Sequence, residues 1–167
     1  MPVELRRAQP SEHDEFVAAI RPYLAELATV EGTPVRTEYE HLPLYWREPG
    51  RAAYWILMDA QRVGFALVNR QVHLPASDWS LAEFYVEPEW RGKGVATQAV
   101  CDLLKGHEGT WEVPVLSGHE EAVHFWNHAL SVCAPGRVAT VPSGTLGGWS
   151  GTLFVVRPPE AEGGAGS

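Results

Sequence analysis

The stretch EPEWRGKGVATQAV, residues 87–100, limits the possible folds more than any other part of the chain. Before it stands SLAEFYV, a short apolar run of strand character. After it, Val95, Ala96, Ala99, Val100, Leu103 and Leu104 recur at the spacing of one helix face. Glycine is unfavourable inside either element, so Gly92 and Gly94 mark a built connection from strand to helix. A helix start presents unpaired N–H groups and partial positive charge, a suitable seat for an anion. Lys93, one of two lysines in the chain, lies in this turn beside Arg91.

The rest of the chain supplies partners for that unit. VELRRAQ reads as a first strand. SEHD, with Ser11 and Asp14, resembles a helix cap ahead of Phe16, Val17, Ile20, Leu24 and Leu27 at helical spacing. TPVRTEYEHLPLYWREPG predicts a second short helix. AAYWILM and VGFALVN predict a hairpin turning at DAQR, and QVHLPASDW a loop. Lys105 and a left-handed Gly106 are expected to close the helix after the glycine turn. TWEVPV predicts a strand that loses contact with a neighbour at Pro114. Glu120 and Glu121 open a helix with the stripe Ala122, Phe125, Trp126, Ala129 and Leu130. RVATVPS and WSGTLFVVRP predict a final hairpin, and PPEAEGGAGS, residues 158–167, a flexible tail. No internal repeat or second domain is evident.

Composition narrows the partners. A chain of 167 residues, 45% hydrophobic with seven tryptophans, suits one domain with a sizeable core. Its net charge of −8 disfavours a nucleic-acid binder, which needs a basic face; it would steer a cationic or amine-bearing substrate, and a plain acidic surface explains it equally well. Cys101 and Cys133 are too few and too far apart for a disulfide framework or zinc cluster, and read as two reduced core thiols of a cytoplasmic protein. The N-terminus lacks the apolar run of a signal peptide, and no segment has membrane-spanning length.

Three phosphate-binding patterns compete for the glycine turn. The Walker pattern fails, because Val95 follows the second glycine where a lysine and then Ser or Thr are required. The dinucleotide fingerprint fits Gly92 and Gly94 but meets Thr97 at its third glycine. Glu112 lies downstream at roughly the spacing of a ribose-binding acid, although near the start of its strand. The third pattern, R/Q-x-x-G-x-G/A, is matched in full by Arg91-Gly92-Lys93-Gly94-Val95-Ala96. Here the sequence resembles the GNAT superfamily of acetyl-CoA-dependent N-acetyltransferases. LAEFYVEPEWRGKGVATQAV is similar to the family's fourth strand, pyrophosphate loop and third helix. TWEVPVLSGHEEAVHFWNHAL is similar to its fifth strand and following helix. Residues 81–130 carry the resemblance; the N-terminal half agrees in its order of elements.

The resemblance implies an α/β fold: a GNAT-like single domain over residues 1–157, with a mixed, mainly antiparallel sheet, splayed central strands and flanking helices. It implies acetyl-CoA as co-substrate and direct attack by an amine in a ternary complex, in a monomer or homodimer. Backbone N–H groups from Gly92 to Thr97 would cradle the pyrophosphate, beside Arg91 and Lys93. Tyr85 and Val86 would hold the pantetheine, with the Val86 N–H polarising the thioester carbonyl. Phe125, Trp126 and His119 fall on the cofactor side. The acceptor would be a primary amine on a small molecule or peptide. At neutral pH such an amine is mostly protonated and needs a base.

Glu83 is the candidate base. Strand alternation places Leu81, Glu83 and Tyr85 on one face, and a carboxylate amid an apolar strand is unusual. The competing reading pairs Glu83 with an arginine or sets it on an exposed edge. Trp126 stands where many relatives carry a general-acid tyrosine, and an indole cannot supply that proton. This departure keeps open a non-catalytic acetyl-CoA-binding module. The aromatic N-terminal half offers Trp46 and Trp79 as an acceptor wall, against ordinary packing, and Glu38, Glu40 and Asp78 as acids to attract an amine. His119 and His124 are five residues apart, unlike the H-E-x-x-H zinc motif, and no metal site is expected.

Overall fold

The computed structural model describes residues 2–141 and 150–160. Strands β1 (Val3–Arg7), β2 (Ala52–Met58), β3 (Gln61–Asn69), β4 (Trp79–Val86), β5 (Trp111–Leu116), β6 (Val138–Val141) and β7 (Gly151–Val156) form one sheet. Their order is β1-β2-β3-β4-β5-β7-β6. Every neighbouring pair is antiparallel except β4 and β5. Helix α1 (His13–Glu31) covers one face of the sheet; α2 (Val95–Gly106) and α3 (Glu120–Cys133) cover the other.

The near-continuous apolar runs of β2 and β3 follow from this layering, because a strand covered on both faces has no solvent side to mark. Trp55, Phe65 and Leu67 meet Phe16, Ile20 and Leu24 of α1. On the other face Ala66, Val68, Trp111, Val113 and Phe154 meet Val100, Leu103, Trp126 and Leu130. The β2–β3 hairpin turns through two residues, Asp59 and Ala60, both at positive φ (48° and 66°). That is the conformation whose twist matches the flanking strands.

Local expectations required correction at several points. Gln9 and Glu12, not Ser11 and Asp14, make the reciprocal cap before α1, because the chain enters through a 3-10 turn at Pro10–Glu12. The expected second helix is a 3-10 segment, Leu42–Trp46, with Leu42 and Tyr45 buried. Gly106 is the last residue of α2, and the chain leaves it through an extended His107 (φ −138°) and not through a left-handed cap. Cys101 and Cys133 are joined in a disulfide, with Cα atoms 4.9 Å apart. Sequence separation misled here: α2 and α3 pack side by side and bring the two cysteines into contact. β6 and β7 pair as expected, while the connecting residues 142–149 lie outside the described residues, as do 161–167 of the expected tail. Among the described residues no helix is long and apolar enough to cross a membrane.

Candidate active site

β4 and β5 run parallel but pair only at Trp79↔Trp111 and Ser80↔Glu112. From there β5 keeps its partnership with β7 over its whole length, Trp111 to Leu116, including Pro114 opposite Leu153. The two central strands therefore part, and a cleft of about 360 Å³ opens between them. Tyr23 and Leu27 of α1 reach it from one side, His119 and Trp126 of α3 from the other. The strand edge facing this gap can be deduced from the ladder. Glu87 N–H donates to the Val63 carbonyl at 2.8 Å, and Val86 stands opposite Gly64. Antiparallel alternation then turns the Phe84 and Val86 N–H groups away from β3, towards the gap. Gly64 is required at this point, because a Cβ there would lie 2.1 Å from the Tyr85 carbonyl oxygen.

A β-bulge sets what the cleft contains. Leu67 pairs with Glu83 but Val68 pairs with Leu81, so Ala82 is an extra residue on β4. The bulge corrects the expectation that Leu81, Glu83 and Tyr85 share a face. Leu81 packs with Trp111 and Trp126 on the α2–α3 side. Glu83 and Tyr85 turn towards α1. The Tyr23 hydroxyl donates to Glu83 Oε2, and the Tyr39 hydroxyl donates to Oε1 at 3.2 Å. Burial raises the Glu83 carboxyl to about 7, against the opposing pull of both hydroxyls and of the Arg36 charge. Burial first, and then the Glu83 charge, raises both tyrosines, so they remain protonated donors. Raised to about 7, this carboxyl changes its protonation state near neutrality, the range in which a general base is most effective.

The glycine turn lies at the end of the same strand. Gly92 (φ 75°) and Gly94 (φ 83°) occupy the left-handed region, and Gly94 caps α2. A Cβ at either would point into open space, so no side chain screens the turn at these positions. The first N–H groups of α2, on Val95, Ala96 and Thr97, have no partner within their own helix. Lys93 reaches over the Trp90 ring, 5.3 Å from its centroid. The Arg91 side chain, expected beside the diphosphate, is also engaged within the protein. Its Nε donates to the Val86 carbonyl at 2.8 Å, and its Nη2 contacts both Glu26 carboxylate oxygens at 2.9 and 3.0 Å. Its guanidinium also lies over the Tyr85 ring, so Arg91 braces the turn against α1.

Other expected site residues distribute as follows. Val86 is buried beside Val95, while Phe125 stacks on Phe84 (centroids 6.2 Å, interplanar 19°) behind the cleft wall. Trp126 lines the cleft and meets Phe84 edge-on. Trp46 and Trp79 do not line it. Trp46 packs on Phe16 with its indole N–H on the Ala8 carbonyl; Trp79 lies tilted against His107 and donates to the Glu108 carbonyl. Each satisfies its polar atom with nearby backbone, which fixes it away from the gap. Asp78 accepts the Thr110 N–H at 2.8 Å, and Glu38 and Glu40 are exposed away from the cleft. Glu112, the ribose-acid alternative, is fully buried and accepts the N–H groups of His73 and Leu74, at 2.7 and 2.8 Å, to hold the loop between β3 and β4. His124 and His128 are exposed, and no cluster fit to hold a metal occurs among the described residues.

Sequence reasoning missed Tyr23, Tyr39 and Arg36 as neighbours of Glu83. Tyr23 carried a signal: it falls on the apolar stripe of α1 between Ile20 and Leu24, where a hydroxyl needs a buried partner.

Comparison with known proteins agrees with this geometry. The crystal structure of an acetyltransferase from Thermus thermophilus superposes with a TM-score of 0.69 at 16% identity, covering 95% of this chain and 98% of that one. An aminoglycoside 6'-N-acetyltransferase complexed with coenzyme A gives 0.62 at 17%, covering 97% and 100%. A spermidine N-acetyltransferase from Vibrio cholerae, in complex with CoA and spermine, gives 0.60 at 12%, covering 92% of each. No curated protein matches by sequence. The family model for the acetyltransferase (GNAT) family matches residues 19–130, about two thirds of the chain. On that match, and with a parted sheet and glycine turn that fit it, the chain belongs to the GNAT acetyltransferase family.

Proposed function

We propose that the protein transfers the acetyl group of acetyl-CoA to a primary amine of a small molecule or peptide, by direct attack within a ternary complex. The observation that carries this reading is a carboxyl raised to about 7, in the gap between β4 and β5, on the strand whose N–H edge faces the same gap. Acetyl-CoA supplies an activated thioester. The glycine turn fits its diphosphate, because the amides of Gly92 to Thr97 stand at a helix start with no side chain on Gly92 or Gly94 to block approach. Lys93 adds the local positive charge. Around Tyr85 and Val86 the β4 edge offers the Phe84 and Val86 N–H groups to an extended arm, as a further strand would meet them, and the Val86 N–H serves the thioester oxygen. Phe125 and Trp126 back this side of the cleft, and His119 stands at its α3 end.

Glu83, aligned by Tyr23 and Tyr39, takes the proton from the amine as its nitrogen bonds to the carbonyl carbon. The carbon–sulfur bond then breaks. A thiol with a pKa of about 8.5, by analogy with cysteine, leaves without the tyrosine that Trp126 replaces. That replacement favours one rival, a module that binds acetyl-CoA without turnover. Calorimetry with coenzyme A and release of free thiol across an amine panel separate the two. Binding with thiol release supports the enzyme; binding without release to any amine supports the module; absence of binding overturns both.

A further inference from the structure

Beyond the base, the described residues at the cleft's α1 end carry two charged groups, Glu31 and Arg36. They act on Glu83 in opposite senses, Arg36 lowering its pKa and Glu31 raising it, so both lie within electrostatic reach of the point where the amine must sit. The ion pairs among the described residues engage Arg6, Arg51, Arg62 and Arg91; Arg36 is in none of them. It is exposed and lines the cleft, where its charge acts on Glu83 and Tyr23 without a direct ion pair.

We infer, building on the acetyl-transfer reading, that the acceptor is an amine that also bears a carboxylate: its amino group faces Glu83 and its carboxylate meets the Arg36 guanidinium. A guanidinium matches a carboxylate through two parallel N–H bonds, which a lysine ammonium does not reproduce. A polycationic acceptor fits less well. The cleft lining sets two carboxylates, Glu31 and Glu83, against the Arg36 guanidinium; with Glu83 facing the reacting amine, Glu31 alone remains for a further ammonium group, and Arg36 repels one on its own side. The net charge of −8 draws cations to the surface at large, but the groups lining the cleft decide what stays there.

Matched acceptor pairs test this: lysine against cadaverine, phenylalanine against phenethylamine, and β-alanine against ethanolamine, with phosphoethanolamine as a phosphate arm. The expected result is a higher kcat/KM for the carboxylate member of a pair, on the order of 10- to 100-fold, expressed mainly in KM. Arg36→Gln should bring that ratio towards one, and Arg36→Lys should restore only part of it. A preference for the members lacking a carboxylate, a preference for phosphoethanolamine over β-alanine, or a ratio unmoved by Arg36→Gln overturns the inference. If coenzyme A binds but no pair is acetylated, calorimetry of the same pairs decides: equal affinity overturns it, and tighter binding of the carboxylate members upholds it. Failure to bind coenzyme A is a separate result, which defeats the acetyl-transfer reading itself.

Discussion

Glu83 is the residue on which the proposed chemistry turns, and its carboxyl at about 7 has two consequences of opposite sign. As a base it must be ionised, so kcat/KM should rise from about pH 5.5 and lose one limb of its slope near pH 7. Glu83→Gln should remove that limb and lower turnover by about 10²- to 10⁴-fold while coenzyme A affinity is retained; an unaltered pH–rate profile would exclude Glu83 from proton transfer. For stability the raised pKa acts the other way. The folded state holds this proton more tightly than the unfolded chain, so the contribution is complete below the ordinary carboxyl value of 4.5 and is lost as pH rises through about 7. Melting temperatures across that window should therefore fall less in Glu83→Gln than in the parent. A second residue-scale test concerns the β2–β3 turn, where Ala60 sits at φ 66°. An L-residue there costs about 1–2 kcal/mol, so Ala60→Gly should raise unfolding stability by about 1 kcal/mol in urea titration. The candidate base was legible because a carboxylate interrupts an apolar strand. Its hydroxyl partners were not, since Tyr23 and Tyr39 reach it from sequence separations of 60 and 44.

At the scale of elements, the strands, helices and glycine turn follow from periodicity and from Gly92 and Gly94. What periodicity does not carry is a change of phase. The bulge at Ala82 has no glycine or proline to announce it, yet it moves Leu81 to the opposite face from Glu83 and thereby lines both walls of the cleft. The disulfide was illegible for a related reason: the meeting of Cys101 and Cys133 depends on how α2 lies beside α3. Its sequence separation of 32 leads, in the chain-entropy view, to about 3–4 kcal/mol of stabilisation. Cys133→Ser should lower the urea midpoint accordingly, and the parent under reductant should match it. Two reactive thiols in the denatured, unreduced parent would contradict the cross-link.

Across the whole molecule, every described strand has an antiparallel neighbour, with α1 on one side of the sheet and α2 and α3 on the other, the α/β fold that the resemblance over residues 81–130 implied. The parting of the central strands was implied in the same way, whereas which side chains reach the gap depends on tertiary packing that the order of elements does not show. Two matched residue pairs are all that stitch β4 to β5. Beyond those pairs the two parts of the sheet, β1–β4 and β5–β7, are held by one shared core, in which Leu81 packs with Val113 and Phe154. The spacing of the parted strands therefore bounds the breadth of any molecule that can reach Glu83, whatever its charge.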